Sequence, residues 1–465
     1  MSENKSLRIN PFLYTILVVV EGSVGFAIHS TIKMTILSHL HETLRSYPAN
    51  QCFWIAYSGG LDSHVLLHAL TQLNIPAPQL RAVHIHHGLQ SQADNWATHC
   101  QQTCEALEIP CEVIQVNVRT ASRESLEANA RTARYQAIAQ LLAPDEVVFT
   151  AQHADDQAET VFLQLLRGAG VAGLAAMPAV SHLGNGWLVR PLLGYTRIQL
   201  LDYAKKNDLH WIEDSSNIDT RFDRNFLRHK IMPLLQQRWH SVNHVLSRVA
   251  SHQAEADELI QILAEEDLQS CKGQCPEQLF LPALFRLQQV RQRNLLRFWI
   301  KKLGLPLPST VQLQHILNDI LTAKKDRQPL VQWRGGEVRR YRDYLFAMSN
   351  LPPVPESSQC LSWKLEAPLH LPLGKLKVNA TQKQGLALPI GTPLQIRFRQ
   401  GGETFYWRSH QRVVKKLLQT AQLPPWQRPF IPLIYFKNTL VAIPNIGVAD
   451  GFAADKGLEI QWLLP

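Results

Sequence analysis

A chain of 465 residues with 45% hydrophobic and 18% charged side chains can bury ordinary globular cores, which excludes a protein disordered throughout. This length corresponds to about three domains of roughly 150 residues each. The 47 lysines and arginines exceed the 38 aspartates and glutamates, which gives a net charge of +9. That balance favours partners rich in phosphate, such as nucleic acid, although a slightly basic soluble enzyme would show it too.

The first 33 residues differ in character from those that follow. Lys5 and Arg8 precede an apolar run at 11–20, as in a weak signal peptide. The run is shorter than the about 20 apolar residues that a membrane-spanning helix needs, so no membrane span is expected. Met34 begins a segment that resembles a natural start. We therefore interpret 1–33 as an N-terminal extension outside the fold.

Short apolar runs alternate with helical patterns between residues 53 and 207. This alternation predicts a doubly wound, mostly parallel sheet with helices on both faces, an α/β fold. Ligands of such sheets bind at the carboxyl ends of the strands. The predicted strands lie at 53–57, 81–86, 112–118, 147–150 and 187–190. One predicted helix follows the first strand and includes residues 66–73, and a second follows the second strand and ends near residue 107. The other predicted helices lie at 124–142, 155–166 and 197–206.

The patterns change beyond residue 233. Helical periodicity covers 234–268, 288–302 and 310–323, and a hairpin is predicted within 329–346. Short strand-like runs and prolines dominate the end of the chain, with one helix near 411–420. The chain is predicted to contain an α/β domain at 34–233 and a mostly helical substrate-recognition domain at 234–350. A Pro/Ser-rich linker at 351–358 leads to a small α+β C-terminal domain at 359–465.

The segment SGGLDS stands between the first predicted strand and the helix that follows it. Two glycines let the backbone approach an anion closely, and the amides and dipole of the helix start favour phosphate oxygens. The serines add hydroxyl donors, and a carboxylate beside phosphates is expected to help hold Mg²⁺. A plain strand-to-helix turn with a serine cap is the alternative. The residues predicted to bind the nucleotide are Ser58, Gly59, Gly60, Leu61, Asp62 and Ser63, with Asp62 also as the magnesium ligand.

The chain contains no Walker A string, GxxxxGK[ST], which excludes a P-loop NTPase of that type. The loop resembles that of PP-loop ATP pyrophosphatases, of the adenine nucleotide alpha hydrolase-like fold, which cleave ATP to AMP and pyrophosphate. Further motifs follow along the chain: HIHHG at 84–88, LEA at 126–128, TAQHADDQAET at 150–160, RGAG at 167–170, RPLL at 190–193, WIED at 211–214 and RNFLR at 224–228. This series, in this order, resembles the tRNA(Ile)-lysidine synthetase family, over roughly 34–465.

The resemblance implies a specific reaction. ATP adenylates the C2 oxygen of the wobble cytidine in a tRNA(Ile) with a CAU anticodon. The amine of free L-lysine then attacks C2 and displaces AMP, which leaves lysidine and changes codon and amino-acid specificity. The implied co-substrates and cofactors are ATP, Mg²⁺ and L-lysine, and the implied location is the cytoplasm. The oligomeric state stays open, a homodimer included.

The residue chemistry is compatible with this reaction. Arg131 is a candidate for neutralising phosphate charge. Asp155 and Glu159, four apart on one helix face, are candidates for binding lysine and accepting its proton. Asp156 is equally explained as a stabilising charge at a helix start. The predicted substrate contacts are His153, Asn217, Arg224, Asn225 and Arg228. His153 is equally explained as a histidine at the end of a strand, and capping and surface salt bridges are the alternative for the other four.

The C-terminal region interleaves basic and aromatic residues, in RFRQGGE at 397–403, at Arg412, Lys415 and Lys416, and in PPWQR at 424–428. This pattern suits contacts to an RNA backbone and stacking on bases, although a solvated face over an aromatic core would give it too. By resemblance, this domain grips the acceptor arm of tRNA, and the middle domain helps to recognise the anticodon arm.

Three other functions compete with this interpretation. A PP-loop tRNA thiolase uses paired cysteines or cysteine-bound clusters, and the seven cysteines here form no C-x-x-C. An amidating ligase such as an NAD or GMP synthetase needs an ammonia source and no basic C-terminal domain. A catalytically inactive RNA-binding protein has no need of the intact SGGLDS loop with its downstream acids and arginines.

Overall fold

The computed structural model describes residues 35–464 except 49, 74, 76–78, 89–91, 118–125, 324–326, 357 and 382–383. The predicted extension at 1–33 lies outside the described residues. The chain divides into two compact units, of which the first ends at Leu259 and the second begins at Ile260. Within the described ranges, no helix is both long and apolar enough to cross a bilayer.

The first unit is built around a six-stranded sheet of the order β3-β2-β1-β4-β6-β5, parallel except for β5. The strands are β1 (Phe53–Ala56), β2 (Leu80–His86), β3 (Cys111–Gln115), β4 (Val147–Phe149), β5 (Val180–Leu183) and β6 (Gly186–Val189). The helices are α1 (Ile36–Arg45), α2 (Leu61–Thr71), α3 (Ala93–Ala106), α4 (Leu126–Leu141), α5 (Ala154–Leu166), α6 (Val171–Leu174), α7 (Arg197–Lys206), α8 (Asp223–Phe226) and α9 (Met232–Arg238).

Side chains of β1 alternate between two apolar cores, one on each face of the sheet. Phe53 and Ile55 pack in the core that contains α1, α2, α3 and α7. Trp54 points to the opposite face and packs with Ile138 of α4 and with Leu142, the residue after α4. Because side chains alternate along a strand, this pattern requires cover on both faces. The predicted doubly wound, mostly parallel sheet is confirmed.

The first unit also departs from the sequence prediction in detail. The antiparallel edge strand β5 was missed, since its four residues are partly exposed and carry no buried alternation. A single helical pattern was assigned to 234–268, but α9 ends at Arg238 and a new helix, α10 (Val242–Cys271), follows. Between α8 and α9 the chain forms a π-helical turn at Leu227–Ile231. That turn continues α8, so the arginine-containing segment is helical throughout.

The second unit begins with an α/β layer. Its helices are α11 (Leu281–Leu284), α12 (Gln289–Lys302) and α13 (Thr310–His315), the last continuing as a π-helical turn at Ile316–Ile320. The predicted hairpin is confirmed as β8 (Leu330–Trp333) and β9 (Gly336–Tyr341). It belongs to an antiparallel sheet with β7 (Gln278–Phe280) and β10 (Tyr344–Met348), so this helical region carries four strands as well.

The rest of the second unit consists mainly of antiparallel strands around one apolar core. The predicted α+β character of this region is confirmed. One sheet consists of β11 (Cys360–Trp363), β15 (Leu394–Arg397), β18 (Leu433–Phe436), β19 (Thr439–Ile443) and β20 (Gly447–Val448). A second sheet consists of β12 (Leu369–His370), β13 (Lys375–Ala380), β14 (Gln384–Leu386), β21 (Ala453–Asp455) and β22 (Leu458–Leu463). The strands β16 (Thr404–Trp407) and β17 (His410–Val413) form a separate hairpin, and α14 (Val414–Thr420) follows it.

Trp426 joins these two parts of the second unit. Its ring lies edge-on to Phe346 at 5.3 Å and to Tyr341 at 6.2 Å between centroids. The Arg339 guanidinium lies 5.4 Å from the same ring, and Arg428 donates to the Tyr341 hydroxyl at 3.2 Å. Aromatic pairs of this geometry add to the burial of their apolar surface. The joint therefore holds β9 and β10 against the segment before β18.

Replacing Trp426 by alanine is expected to destabilise the second unit by about 3–5 kcal/mol, because it removes a buried ring with its edge-on partners. The loss is measurable by urea unfolding of the full chain. Trp239→Ala is the control, since Trp239 is 60% exposed and its loss leaves no cavity. Equal effects of the two substitutions would contradict a structural role for Trp426.

Candidate active site

The loop between β1 and α2 is shaped by a glycine that no other residue can replace without strain. Gly59 has a φ of +83°, and a Cβ there would lie 2.8 Å from Cδ1 of Ile212. Its carbonyl accepts the Ile212 amide at 2.9 Å. The segment before α8 thus supports the loop from behind. A side chain at this position would disturb both the backbone conformation and that contact.

The two serines of the loop hydrogen-bond to each other. Their Oγ atoms lie 3.0 Å apart, and the Ser58 amide donates to Ser63 Oγ at 3.2 Å. Ser63 Oγ donates to the Gly60 carbonyl at 3.0 Å. α2 begins at Leu61 with Gly60 as its N-cap, and amides of a first helical turn have no acceptor within the helix. The loop therefore presents amides and hydroxyls suited to phosphate oxygens.

A buried histidine lies beside the loop, at the start of α5. His153 is 1% exposed, and three carboxylates surround its ring. Nε2 lies 3.6 Å from Asp62 Oδ2 and 3.5 Å from Asp156 Oδ2, while Nδ1 lies 3.6 Å from Asp155 Oδ2. The ring thus connects the acid of the SGGLDS loop with the two acids of the HADDQAET motif. Sequence alone left open whether this histidine belonged with the acids.

The carboxylates determine the charge of this ring. Burial lowers the pKa of His153, but Asp156, Asp155 and Asp62 outweigh burial and raise it to about 10. A neutral ring could accept the Asp156 amide at Nδ1, 3.4 Å away, as an N-cap. A charged ring instead donates at both nitrogens. Three acids around one buried ring favour the charged form, so we treat His153 as an imidazolium.

Arg224 and Arg228 neutralise two acids of α5, Asp156 and Glu159. Arg224 Nε and Arg228 Nε donate to the two oxygens of Glu159, each at 2.7 Å. Their Nη2 groups donate to Asp156 Oδ1 at 3.1 and 3.0 Å. Burial raises the pKa of Asp156, but His153 and the two arginines outweigh it and hold the pKa below its ordinary range. Glu159 is 2% exposed. These four side chains form an ion-pair cluster in which Glu159 is buried and Asp156 and the two arginines are half-buried.

Asp155 points to a different set of partners. Its Oδ1 accepts Nδ2 of Asn243 at 2.7 Å, and its Oδ2 accepts the Arg197 amide at 2.9 Å. The carboxylate therefore ties α5 to the first turn of α7 and to the start of α10. Burial raises the pKa of Asp155, but the His153 ring and the Arg197 amide outweigh it and lower the pKa overall. The side chain keeps 22% of its surface exposed.

Asp62 differs from the other acids because one of its oxygens has no partner. Oδ1 is buried and accepts no hydrogen bond from the described residues, although the side chain is 33% exposed. A buried, unpaired carboxylate oxygen is costly unless a cation or a donor reaches it. The four acids also outnumber the three cations, His153, Arg224 and Arg228, by one charge. The site therefore suits a further cation.

No group of three or more His, Cys, Asp or Glu side chains arranged for a metal ion occurs among the described residues. An ion at Asp62 would thus rely on one carboxylate, with phosphates and waters as its other ligands. Mg²⁺ is commonly held in this way, by one or two carboxylates and substrate phosphates.

Cys100 and Cys104 lie on α3 and are buried in the core, and Cys100 packs behind Gly59.

The remaining predicted site residues lie in other surroundings. Arg131 is exposed on α4, and its guanidinium lies 5.0 Å from the Tyr135 ring. Burial and, to a smaller extent, the Arg131 charge lower the pKa of Arg190. No contact between Arg131 and the SGGLDS loop is found in the described part of the chain. The Asn217 carbonyl accepts Nε2 of His229 at 2.8 Å, while Nδ2 of Asn225 donates to the Asp219 carbonyl at 3.0 Å.

Sequence reasoning missed two contributors to the site, Asn243 and the amide of Arg197. Asn243 lies 88 residues from Asp155 and is 6% exposed. No local motif marks a single asparagine at a helix start as the partner of so distant an acid. A backbone amide carries no sequence signature at all. Only the packing of α5, α7 and α10 reveals either contact.

Comparison with known proteins adds to this geometry. Three family models match, described as a PP-loop domain over 31–235, a TilS substrate binding domain over 279–346 and a TilS substrate C-terminal domain over 394–462. A tRNA(Ile)-lysidine synthase of Coxiella burnetii is 45% identical over 429 residues, covering 91% of this chain and 95% of that protein. This chain belongs to the tRNA(Ile)-lysidine synthase family.

Other relatives agree with this assignment. A tRNA(Ile)-lysidine synthase of Serratia proteamaculans is 43% identical, covering 91% of this chain and 97% of that protein. One of Alkalilimnicola ehrlichii is 43% identical over 413 residues, covering 88% of this chain and 92% of that protein. The matches extend through the first unit and the second. Membership of this family, inferred from the motifs in sequence order, is confirmed, and the thiolase alternative is not favoured.

His153→Gln is expected to destabilise the protein below pH 6.5, because glutamine cannot supply the buried positive charge. The charged ring stabilises fully below its ordinary pKa of 6.5, and this contribution is lost as the pH rises through about 10. The difference in melting temperature between wild type and variant should therefore narrow toward pH 10. A difference that stays constant over this range would contradict the charged ring.

Glu159→Gln is expected to lower the free energy of unfolding by about 1–3 kcal/mol, since it leaves two half-buried arginines with Asp156 as their remaining counter-charge. A double-mutant cycle with Arg228→Gln checks the coupling by urea unfolding. The double variant should lose less than the sum of the single losses. Glu105→Gln, at an exposed position on α3, serves as the control and should change stability by less than about 0.5 kcal/mol. Additive losses would show that the pair is not coupled.

Proposed function

We propose that this chain ligates L-lysine to C2 of the wobble cytidine in a tRNA(Ile) with a CAU anticodon, at the expense of ATP. The observation that carries the proposal is family membership over 91% of the chain, with relatives named tRNA(Ile)-lysidine synthase. The reaction passes through a tRNA adenylated at the C2 oxygen and releases pyrophosphate and then AMP. Its product is lysidine, and its location is the cytoplasm.

The SGGLDS loop is the ATP site of this proposal. Its first-turn amides and the hydroxyls of Ser58 and Ser63 bind phosphate oxygens, and Gly59 keeps the backbone within reach of them. Asp62 holds Mg²⁺, which the unpaired Oδ1 supports. The ion supplies charge neutralisation beside the phosphates. We assign Arg131 to neutralising phosphate charge on the basis of its motif alone, because it is exposed on α4 and does not contact the loop in the described part of the chain.

Lysine is bound by the net negative charge of the acid cluster. Its ammonium must lose a proton before the amine attacks C2, so a nearby carboxylate serves as acceptor. Asp155 is the candidate because its side chain keeps 22% exposure and a carboxylate has lone pairs beyond the two already used. Glu159, with both oxygens bound by arginines, acts as a counter-ion that positions Arg224 and Arg228.

The two later family-model matches support a role for the second unit in binding tRNA. We assign 234–350 to recognition of the anticodon arm and 359–465 to the acceptor arm. On this division, residues 34–233 carry the reacting groups and the two later regions supply affinity for tRNA. Asn217 and Asn225, on the segment that leads into the π-helical turn, are placed with the substrate contacts of the first unit.

The decisive experiment incubates the full chain with ATP, radiolabelled lysine and tRNA(Ile) carrying a CAU anticodon. Lysine should become attached to this tRNA and not to a control tRNA(Ile) with a different wobble nucleotide. AMP and pyrophosphate should appear in step with the label. Absence of lysine transfer, together with sulfur transfer from a thiol donor, would instead identify a thiolase.

Asp62→Ala and Asp155→Ala are each expected to lower kcat for lysine transfer by at least about a hundredfold, because Asp62→Ala removes the proposed magnesium ligand and Asp155→Ala the proposed proton acceptor. Glu105→Ala, which removes an exposed acid from α3, is the matched control and should keep full activity. Melting temperatures of all three variants separate loss of chemistry from loss of fold. Full activity in Asp155→Ala would remove that residue from the catalytic set.

A further inference from the structure

The hairpin formed by β16 and β17 lines one side of a half-open cavity that the proposed chemistry does not use. Thr404, Tyr406 and Gln411 line it from the hairpin, and Thr439, Gly451 and Phe452 line it from the opposite side. Its volume is about 410 Å³, within the range of about 300–1,000 Å³ common for ligand sites. Every side chain that lines it is uncharged. The cavity therefore suits a neutral group with polar edges.

The hairpin register explains why these side chains share one face. Tyr406 pairs with Gln411, and Thr404 pairs with Val413. Neighbouring residues point the other way, since Phe405 is 1% exposed and packs in the core of the C-terminal region. Tyr406 is 55% exposed, and Nε2 of Gln411 donates to Thr404 Oγ1 at 3.0 Å. An accessible aromatic face thus stands beside an amide and hydroxyl groups.

The turn of the hairpin is held in place by an acid and presents cations. Arg408 and Ser409 both have positive φ, +54° and +60°, and their amides donate to the two oxygens of Asp450 at 2.9 and 2.6 Å. The Arg408 guanidinium lies 4.3 Å from the Trp407 ring, and that of Arg412 lies 6.0 Å from it. Stacking on Trp407 holds Arg408 in a defined position.

Trp407 itself is fixed by close packing. A Cβ at Gly447 would lie 2.7 Å from its Nε1, so the indole rests directly on the glycine backbone. No ion pair of Arg408 or Arg412 with a carboxylate occurs among the described residues, and Asp450 is occupied by backbone amides. Arg412 and Trp407 lie on the face of the hairpin opposite Tyr406 and Gln411, so only Arg408, exposed at the turn two residues beyond Tyr406, supplies positive charge near the uncharged cavity.

We propose that this cavity binds one unpaired base of the substrate RNA, stacked on Tyr406, while Arg408 contacts the adjacent phosphate. The inference rests on the proposed function, because it takes the RNA to be the tRNA substrate. Single-stranded RNA is bound by aromatic side chains that stack on splayed bases and by polar groups that reach base edges. A base is neutral and its phosphate is charged, which matches the division between cavity and turn.

The test measures the affinity of the full chain for tRNA(Ile) without ATP, at several salt concentrations. Tyr406→Ala should weaken binding by roughly 5- to 150-fold, the cost of losing one stacked base, and leave the salt dependence unchanged. Arg408→Ala should weaken binding and reduce the slope of log affinity against log salt by about 0.7–0.9, as expected for one lost phosphate contact. Tyr406→Phe, which keeps the ring, should bind within about twofold of wild type.

A second variant fills the cavity without removing any contact. A Cβ at Gly451 would meet no atom within 4 Å, so Gly451→Leu is expected to fold and to exclude a base. Ile390→Ala, which truncates a 61% exposed apolar residue outside the cavity, is the control. Wild-type affinity in both Tyr406→Ala and Gly451→Leu would overturn the proposal, as would a change of salt slope in Tyr406→Ala as large as that in Arg408→Ala.

Two further arms identify the nucleotide and separate this proposal from the function. If the bound base belongs to the unpaired 3′ end, Tyr406→Ala should no longer weaken binding when the tRNA lacks those nucleotides. If the base belongs to a loop, Tyr406→Ala should still weaken binding of the shortened tRNA. Either result supports the site. In the lysine-transfer assay, Tyr406→Ala should raise KM for tRNA and keep kcat. A wild type that binds tRNA through Tyr406 but transfers no lysine would reject the function and retain the cavity.

Discussion

The positive charge on buried His153 holds together elements that are far apart in the chain. Its ring lies within 3.6 Å of acids from the SGGLDS loop and from α5. Through those acids it connects to α7 and α10 on one side and to the arginines of α8 and the π-helical turn on the other. Without a charge there, three carboxylates would repel one another in a poorly solvated place. The position of Asp62 beside the loop depends on that balance.

The same balance explains how one site serves ligands of opposite sign. The loop offers amides and hydroxyls, which suit the phosphates of ATP. A short distance away, four acids face three cations, which leaves a place for a metal ion or for the ammonium of lysine. Partial neutralisation keeps the acids from repelling ATP as four free carboxylates would. Complete neutralisation would give no affinity for a cation. An excess of one negative charge meets both requirements.

Much of this arrangement was predictable from sequence, since it follows from local patterns. The strand before SGGLDS, the helix after it and the four-residue spacing of Asp155 and Glu159 are local features, and the structure contains that strand and that helix as β1 and α2. Partnerships over long separations were not predictable. Arg224 meets Glu159 across 65 residues, and Asn243 meets Asp155 across 88. The motif series placed Arg224 and Arg228 near the site, but substrate contacts were predicted where the structure has internal ion pairs.

Burial sorts acids that the sequence treats as equals. Asp155 and Glu159 were paired as candidates by helical spacing, yet 22% of the Asp155 side chain is exposed and 2% of the Glu159 side chain. Buried ion pairs gain little stability over a well-packed apolar core, because desolvation of both charges offsets their attraction. Their value here is positional. Glu159 positions Arg224 and Arg228, and the two arginines position Asp156. Asp156 in turn faces the His153 ring, which also faces Asp62. Asp62 and Asp155, whose side chains are the most accessible of the four, are thereby held where a ligand can reach them.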